Sequence, residues 1–114
     1  MAGFKLIDHS DDVMRELAVK ISLAMELVGQ AGENNAKFEI TALGAIDTGN
    51  LRNSISHYYD QSEVGEAYIG TNVEYAPYVE FGTVNYPKER PFLRNAVQNN
   101  KNEYKKIFEA TLKS

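Results

Sequence analysis

NVEYAPYVEFGT, the stretch from Asn72 to Thr83, carries the strongest local structural signal in the chain. Pro77 suits the first turn of a helix, because its ring fixes φ near the helical value and it has no amide hydrogen to leave unbonded. Gly82 can adopt the left-handed conformation in which such a turn ends. The stretch therefore predicts a short helix, which is too short to be stable without packing against the rest of the chain.

The spacing of the apolar residues gives this short helix a predicted face. Four residues fall at the i, i+3, i+4 and i+7 positions of a helix: Tyr75, Tyr78, Val79 and Gly82. Glu74 and Glu80 are predicted to lie off this face. The stretch is then a docking element pinned by aromatic residues, which belong either to the core or to a protein interface.

The composition limits the class of protein. The chain has 114 residues, of which 43% are hydrophobic and 25% charged, as in a soluble globular protein with a single domain over residues 1–114. The formal net charge of −4 argues against nucleic-acid binding as the main task, because phosphate contacts need a basic surface. The absence of cysteine excludes disulfides, thiolate zinc sites and cysteine nucleophiles.

Residues 1–9 are predicted to form a flexible N-terminal segment. They contain no apolar run long enough for a signal peptide. No segment approaches the ~18 apolar residues of a membrane-spanning helix. We therefore expect a protein that is made in the cytoplasm, is not exported by a signal of its own and does not enter a membrane.

A long helix is predicted after this segment, capped by Ser10 or a neighbouring aspartate. Apolar residues recur with a helical period for about five turns, and three more widen the same face. These residues are Val13, Leu17, Ile21, Ala24, Val28 and Ala31, with Leu23, Met25 and Leu27 beside them. Gly29 and Gly32 each weaken a helix by roughly 1 kcal/mol relative to alanine. We predict one helix to about Ala42 that can bend at these glycines, with two helices as the alternative.

The middle of the chain predicts a small antiparallel sheet. Gly44–Gly49 is a predicted loop, in which Asp47 or Thr48 can cap a brief turn. Ile55–Tyr59 and Val64–Ile69 are predicted strands, joined by a hairpin loop at residues 60–63.

The C-terminal part predicts one further helix. Val84–Arg90 is a predicted extended or disordered crossing, and Pro91 opens the helix at its tolerated first position. One apolar stripe is predicted along it: Leu93, Val97, Asn100, Tyr104, Ile107, Phe108 and Thr111. The predicted fold class is α+β, with a long N-terminal helix, a small antiparallel β-sheet, a short central helix and a C-terminal helix packed on the sheet.

No catalytic or metal-binding motif is evident. His9 and His57 are far apart in the sequence, and the sequence displays no carboxylate-rich neighbourhood for either. Asp47, Glu74 and Glu80 could form a magnesium site as in a nuclease, but no fixed-spacing motif supports one. We predict no enzymatic activity and no cofactor, with a small metal-dependent nuclease as an alternative.

Three arginines lie beside apolar residues. Arg52 follows a Thr-Gly turn and precedes Ile55, so its guanidinium is predicted to lie near structured backbone or a carboxylate. An exposed, solubilising arginine is the alternative. The same two options apply to Arg90 and Arg94, which flank Pro91, Phe92 and Leu93.

Three phrases occur in order along the chain: DTGNLRNSI at Asp47–Ile55, IGTNVEYAPYVEFGT at Ile69–Thr83 and RPFLR at Arg90–Arg94. Together with the long N-terminal helix, they resemble the tail-completion and head–tail joining proteins of long-tailed bacteriophages and prophages, a family of minor tail components. The pattern of that family has a D-T-G-x-L-R-x-S-I phrase, a Y-A-x-Y-x-E-x-G-T phrase and an R-P-F-L phrase. The resemblance extends over nearly the whole chain.

The resemblance implies a structural virion protein at the head–tail interface. Such proteins lie between the capsid connector and the tail tube, where copies form a ring, commonly a hexamer. The implied partners are the head connector or adaptor and the tail tube or terminator proteins, without direct nucleic-acid recognition. A cytoplasmic protein-binding regulatory module is a further alternative.

The candidate interface or family-motif residues lie in the three phrases. They are Asp47, Thr48, Gly49, Leu51, Arg52, Ser54, Tyr75, Ala76, Pro77, Tyr78, Glu80, Phe81, Gly82, Thr83, Arg90, Pro91 and Phe92.

Overall fold

The computed structural model describes residues 10–43, 48–59, 66–82 and 88–114. Seven elements follow one another in these ranges: α1 (Ser10–Leu43), α2 (Thr48–Ser54), β1 (Ser56–Tyr59), β2 (Ala67–Gly70), α3 (Ala76–Phe81), α4 (Phe92–Gln98) and α5 (Lys101–Lys113). The predicted α+β class is confirmed, and the fold is mostly helical. The predicted flexible segment at residues 1–9 lies outside the described residues.

α1 is one continuous helix of 34 residues, about 50 Å long at 1.5 Å per residue, so the alternative of two helices is wrong. Gly29 and Gly32 are buried in its middle, under the sheet. A Cβ atom at Gly29 would lie 2.8 Å from His57 Cδ2, and one at Gly32 would lie 3.0 Å from Ile69 Cγ2. The two glycines therefore let the strands approach the helix closely, which explains why α1 keeps them despite their low helix propensity.

The sheet lies close to its predicted position. β1 and β2 pair antiparallel, with Ser56 opposite Gly70 and Tyr58 opposite Tyr68. β1 begins one residue later than predicted. β2 begins only at Ala67, so Glu66 lies outside it, and it runs one residue further than predicted, to Gly70. The predicted connecting loop at residues 60–63 lies outside the described residues.

α2 begins earlier than the predicted turn. Thr48 and Gly49 were expected in a loop, but they form the start of α2, while residues 44–47 lie outside the described part. Leu51, in the middle of α2, is fully buried and anchors the helix to the core.

The predicted single C-terminal helix is wrong, because the chain breaks between α4 and α5. The break occurs where Ala96 O accepts side-chain hydrogen bonds from Asn100 Nδ2, at 3.0 Å, and from the Tyr104 hydroxyl. Asn35 Nδ2 on α1 donates to the same hydroxyl at 3.0 Å. The Tyr104 hydroxyl thus links both C-terminal helices to α1, and burial raises the pKa of Tyr104.

The core lies against the carboxyl-terminal half of α1. It is one cluster of buried residues: Ala36, Ile40, Leu51, Ile55, Ala76, Phe92 and Ala96. α1 contacts α2, both strands, α4 and α5, whereas α3 contacts α4. Among the described residues, no helix is both long and apolar enough to cross a membrane.

Candidate functional site

α3 forms where the sequence predicts a short helix. Pro77 lies in its first turn, and Gly82 ends it with a φ of 77°, its N–H donating to Tyr78 O at 2.9 Å. The predicted face is right only in part. Tyr75 and Val79 pack against the core as predicted, but Tyr78 is 63% exposed, and Glu80, predicted to lie off the packed face, is only 3% exposed. The aromatic rings of Tyr78 and Phe81, the latter 59% exposed, therefore meet solvent.

Glu80 faces inward because its carboxylate caps the first turn of α4. Glu80 Oε1 accepts a hydrogen bond from Leu93 N at 2.8 Å, and Oε2 accepts from Arg94 N at 3.4 Å and from Arg94 Nε at 2.5 Å. Pro91, at the N-cap position, has no side-chain acceptor for these first amides. A carboxylate from α3 takes that role and suits the positive end of the helix.

Arg94 completes this connection and fixes an exposed aromatic ring. Arg94 Nη2 donates to Glu80 O at 2.6 Å, and its guanidinium carbon lies 4.7 Å from the centroid of the Phe81 ring. The hydrogen bond with Glu80 raises the pKa of Arg94, so the side chain is charged throughout the physiological range. The predicted placement of Arg94 near a carboxylate is confirmed. The cation–π contact restrains Phe81 while it stays exposed.

The other two arginines differ from Arg94. The N–H of Arg90 donates to Val79 O at 2.8 Å, but its Nε is buried and has no acceptor in the described part of the chain. Arg52 lies exposed in the last turn of α2. For Arg52 the alternative of an exposed side chain applies.

We name the surface formed by Tyr78, Phe81, Arg90 and Arg94 the α3–α4 corner. An apolar cleft of about 340 Å³ adjoins it, between the start of α3 and Leu93. The corner combines exposed aromatic rings with arginines, the residue types that dominate binding energy at protein interfaces.

The three sequence phrases meet in the core beside this corner. Leu51, Ala76 and Phe92, one from each phrase, belong to the same buried cluster. A hydrogen bond of 2.5 Å between Ser54 Oγ and Thr71 Oγ1 also joins the segments that carry the first two phrases. Much of the family pattern therefore builds the scaffold that positions the corner.

Not every candidate residue belongs to this arrangement. Gly49 is exposed on α2, and Asn50 Nδ2 beside it donates to the Tyr75 hydroxyl at 3.1 Å. The side chain of Thr48, together with Asp47 and Thr83, lies outside the described residues.

The comparison with known families identifies the chain. Residues 5–82, which are more than half of the chain, match the model of the family described as the bacteriophage HK97-gp10 tail component. The chain belongs to this family. No curated protein and no solved structure matches it. The predicted resemblance is confirmed, and the chain is a structural, tail-related phage protein of the virion that interacts with other phage structural proteins.

The match between this tail component and the family model ends within the second sequence phrase, Ile69–Thr83. Gly82 is its last residue, so the Arg90–Arg94 phrase lies beyond it. Glu80 falls inside the matched region and its partner Arg94 outside, which means that the α3–α4 corner draws on both parts of the chain.

The nuclease alternative for this tail component has no support in the geometry. Glu80 is occupied by Arg94 and by backbone amides, Glu74 is exposed, and Asp47 lies outside the described residues. Among the described residues, no group of three or more potential ligands could hold a metal ion.

His57 on β1 joins the sheet of the tail component to α1 through two carboxylates. Its Nδ1 lies 3.0 Å from Glu33 Oε1, its Nε2 lies 3.2 Å from Glu26 Oε2, and Lys37 Nζ donates to Glu33 Oε2 at 3.1 Å. The sequence displays no carboxylate-rich neighbourhood for His57, but the fold brings two carboxylates to it. The only signal in the sequence is the seven-residue spacing of Glu26 and Glu33, which puts both on one side of α1.

This cluster shifts two pKa values in opposite directions. The hydrogen bond with Glu33 raises the pKa of His57 above 6.5, although burial opposes it. Burial by itself would raise the pKa of Glu33, but hydrogen bonds with His57 and Lys37 outweigh it and lower the pKa below 4.5. The charged forms of both groups are therefore favoured by folding.

We expect the free energy of unfolding to depend on pH through His57. Because folding raises its pKa above 6.5, its stabilising contribution is complete below 6.5 and is lost as the pH rises through the raised value. Because folding lowers the pKa of Glu33 below 4.5, that contribution is complete above 4.5 and is lost as the pH falls through the lowered value. The cluster of His57, Glu33 and Lys37 therefore stabilises the folded protein most between pH 4.5 and pH 6.5.

Thermal unfolding of the wild type and His57→Gln, from pH 4.5 to well above the raised pKa of His57, tests the expectation. The Tm of the wild type should fall by a few degrees above about pH 6.5, and the variant should lose most of that fall. His9 is present in both proteins, so the difference between the two curves isolates His57. An equal fall in the variant would contradict the assignment.

Proposed function

We propose that the protein completes the tail and joins it to the head of the phage particle. It acts through protein–protein contacts at the head–tail interface, without catalysis, as a ring of copies for which six is the expected number. The observation that carries this proposal is the α3–α4 corner, in which two exposed aromatic rings lie beside the ion pair between the buried Glu80 and the half-exposed Arg94.

The exposure of the aromatic rings supports an interface in place of a core role. Tyr78 and Phe81 are both more than half exposed, and both lie on the solvent-facing side of the short helix α3. Burying such rings against a partner is favourable, and a ring that is already restrained loses little conformational freedom on binding. The contact of Arg94 with Phe81 supplies that restraint.

The partners of the corner are other phage structural proteins. We propose the head connector or adaptor on one side and the tail tube or terminator proteins on the other. The net charge of −4 supports protein partners over nucleic acid, because a contact with packaged DNA would need a basic surface.

Replacing the exposed rings tests this function. We expect Tyr78→Ala or Phe81→Ala, supplied to a phage that lacks its own copy of the gene, to leave filled heads and unattached tails. A hot-spot loss of about 2 kcal/mol weakens a contact roughly thirtyfold. Electron microscopy of lysates and the titre of infectious particles measure the effect.

Tyr58→Ala is the matched control, because Tyr58 is also an exposed tyrosine, at 59%, but lies on β1. We expect it to support normal particle assembly. Circular dichroism should show that all three variants are folded. Normal particle yield from folded Tyr78→Ala and Phe81→Ala would contradict the proposal that the corner joins the particle.

A further inference from the structure

Two apolar surfaces of this tail component are open to solvent, and they differ in the charge beside them. Along the amino-terminal half of α1, Leu17, Leu23 and Leu27 were predicted to share the packed face, but they are 41%, 52% and 44% exposed. The carboxylate of Glu16 in the same half of the helix is already paired with Lys20, at 3.9 Å. The α1 surface therefore does not indicate which partner would cover it.

The second surface is the apolar cleft of about 340 Å³ beside the α3–α4 corner, which we name the α3 cleft. Val73, Pro77 and Phe81 line it, together with Leu93 from α4. Phe81 belongs to the corner as well, so the two surfaces are continuous. The volume lies at the lower end of the roughly 300–1,000 Å³ of ligand pockets, which suits one long side chain of a partner.

A carboxylate at the edge of the α3 cleft has no counter-charge. Glu74 is exposed and also lines the cleft, which puts it at the rim. It forms no ion pair within the described part of the chain, whereas Glu80, the other glutamate of the cleft, is paired with Arg94. The net charge of the chain, −4, has the same sign as Glu74. A positively charged group on a partner is therefore attracted to this rim.

An apolar cleft with a carboxylate at its rim suits a side chain that is apolar along its length and positively charged at its end. Arginine and lysine both have this form. Arginine suits the cleft better, because its guanidinium is more weakly hydrated, stacks on aromatic rings and binds a carboxylate through two parallel hydrogen bonds. A purely apolar side chain would cover Glu74 without pairing it, and burying an unpaired carboxylate is unfavourable.

We infer that the α3 cleft takes an arginine side chain of another phage structural protein. The aliphatic stem of this arginine lies against Val73 and Pro77, and its guanidinium pairs with Glu74. Asn72 is exposed and lines the cleft too, so its side-chain carbonyl supplies a second acceptor. The inference rests on the proposed function in taking the neighbouring corner as an interface, and it names the chemistry of the residue that the partner brings there.

Titration of the isotope-labelled protein with N-acetyl-arginine amide, followed by NMR at low salt, tests the binding. We expect saturable shifts of the backbone amides that line the cleft, such as those of Gly70, Val73 and Leu93, with a dissociation constant of about millimolar. N-acetyl-citrulline amide is the matched probe, because it has nearly the same shape without the charge. It should bind roughly fivefold more weakly. The corresponding lysine probe should also bind more weakly than the arginine probe.

Glu74→Gln tests the role of the rim carboxylate. The change removes the charge and keeps the shape, so it should weaken binding of the arginine probe roughly fivefold and leave the citrulline probe unaffected. Glu109→Gln is the matched control, because the side chain of Glu109 is 50% exposed but lies on α5. This variant should bind both probes like the wild type.

Charge reversal tests the α3 cleft in the particle. We expect Glu74→Arg, supplied to a phage that lacks its own copy of the gene, to lower the titre of infectious particles at least about tenfold, because it sets two like charges against each other. Glu109→Arg should give a normal titre. Thermal unfolding should show that both variants are folded. Should Glu74→Arg be unfolded, binding of the probes to the wild type and to Glu74→Gln decides.

Three results would overturn the inference: no saturable shift at the cleft with the arginine probe, a citrulline or lysine probe that binds as tightly as arginine, or a normal titre from folded Glu74→Arg. The proposed function is tested separately by Tyr78→Ala and Phe81→Ala. If those variants block joining and Glu74→Arg does not, the corner joins the particle but the cleft takes no arginine. If those variants join heads and tails normally, the proposed function itself fails.

Discussion

Replacing Glu80 by alanine will destabilise the protein more than the removal of any exposed glutamate. The change leaves the Leu93 N–H without its acceptor in a half-buried position, which costs about 1–3 kcal/mol, and it also removes the ion pair of Arg94. At roughly 4–8 °C per kcal/mol for a domain of this size, we expect Tm to fall by about 10 °C. Buried carboxylates persist only when they are paired and hydrogen-bonded, as Glu80 is.

Thermal and urea unfolding of Glu80→Ala measure this effect, with Glu74→Ala as the matched control. Glu74 is an exposed glutamate just before α3, so its replacement should change Tm little. Glu80→Gln keeps an acceptor for Leu93 while removing the charge, and it should fall between the wild type and Glu80→Ala. A wild-type Tm for Glu80→Ala would show that the carboxylate does not connect α3 to α4.

Replacing Gly29 by alanine will destabilise the protein, although alanine is the better helix former by roughly 1 kcal/mol. The new Cβ atom would lie 2.8 Å from His57 Cδ2 and 3.2 Å from His57 Cβ and Cγ. His57 cannot move aside freely, because Glu33 and Glu26 hold its ring on both nitrogens. The sheet must shift away from α1, and overpacking of this kind costs about 1–3 kcal/mol.

Gly49→Ala is the control, for which we expect no loss of stability. A Cβ atom at Gly49, in α2, would meet nothing within 4 Å, so the variant should be neutral or stabilised by up to about 1 kcal/mol. Chemical unfolding of both variants compares the same substitution at two helical positions. A gain in stability for Gly29→Ala would mean that the sheet does not need the close approach at this position.

Local signals in the sequence were sufficient for most elements. The helical period after Ser10 predicted α1, and Pro77 with Gly82 predicted α3 and the left-handed residue at its end. Each of these depends on residues within a turn or two of one another, whose preferences act before any tertiary contact forms.

The orientation of α3 could not be predicted in this way. Spacing within the helix favoured a packed face of tyrosines, but Glu80 binds Arg94, which is 14 residues further along the chain. The break between α4 and α5 is similar, because it depends on Tyr104 reaching both Ala96 and Asn35. No local pattern shows which distant partner a polar side chain will find.

By itself, then, the sequence determined the α+β class, the places of α1, the sheet and α3 and, through its first two phrases, membership of a phage tail-component family. Only the tertiary structure decided which side chains stay exposed. Glu80 is buried and Tyr78 is exposed because the carboxylate caps α4, and Gly29 is needed because His57 packs against it. The physical reason is that burial and pairing depend on distances between remote segments, which exist only once the chain has folded.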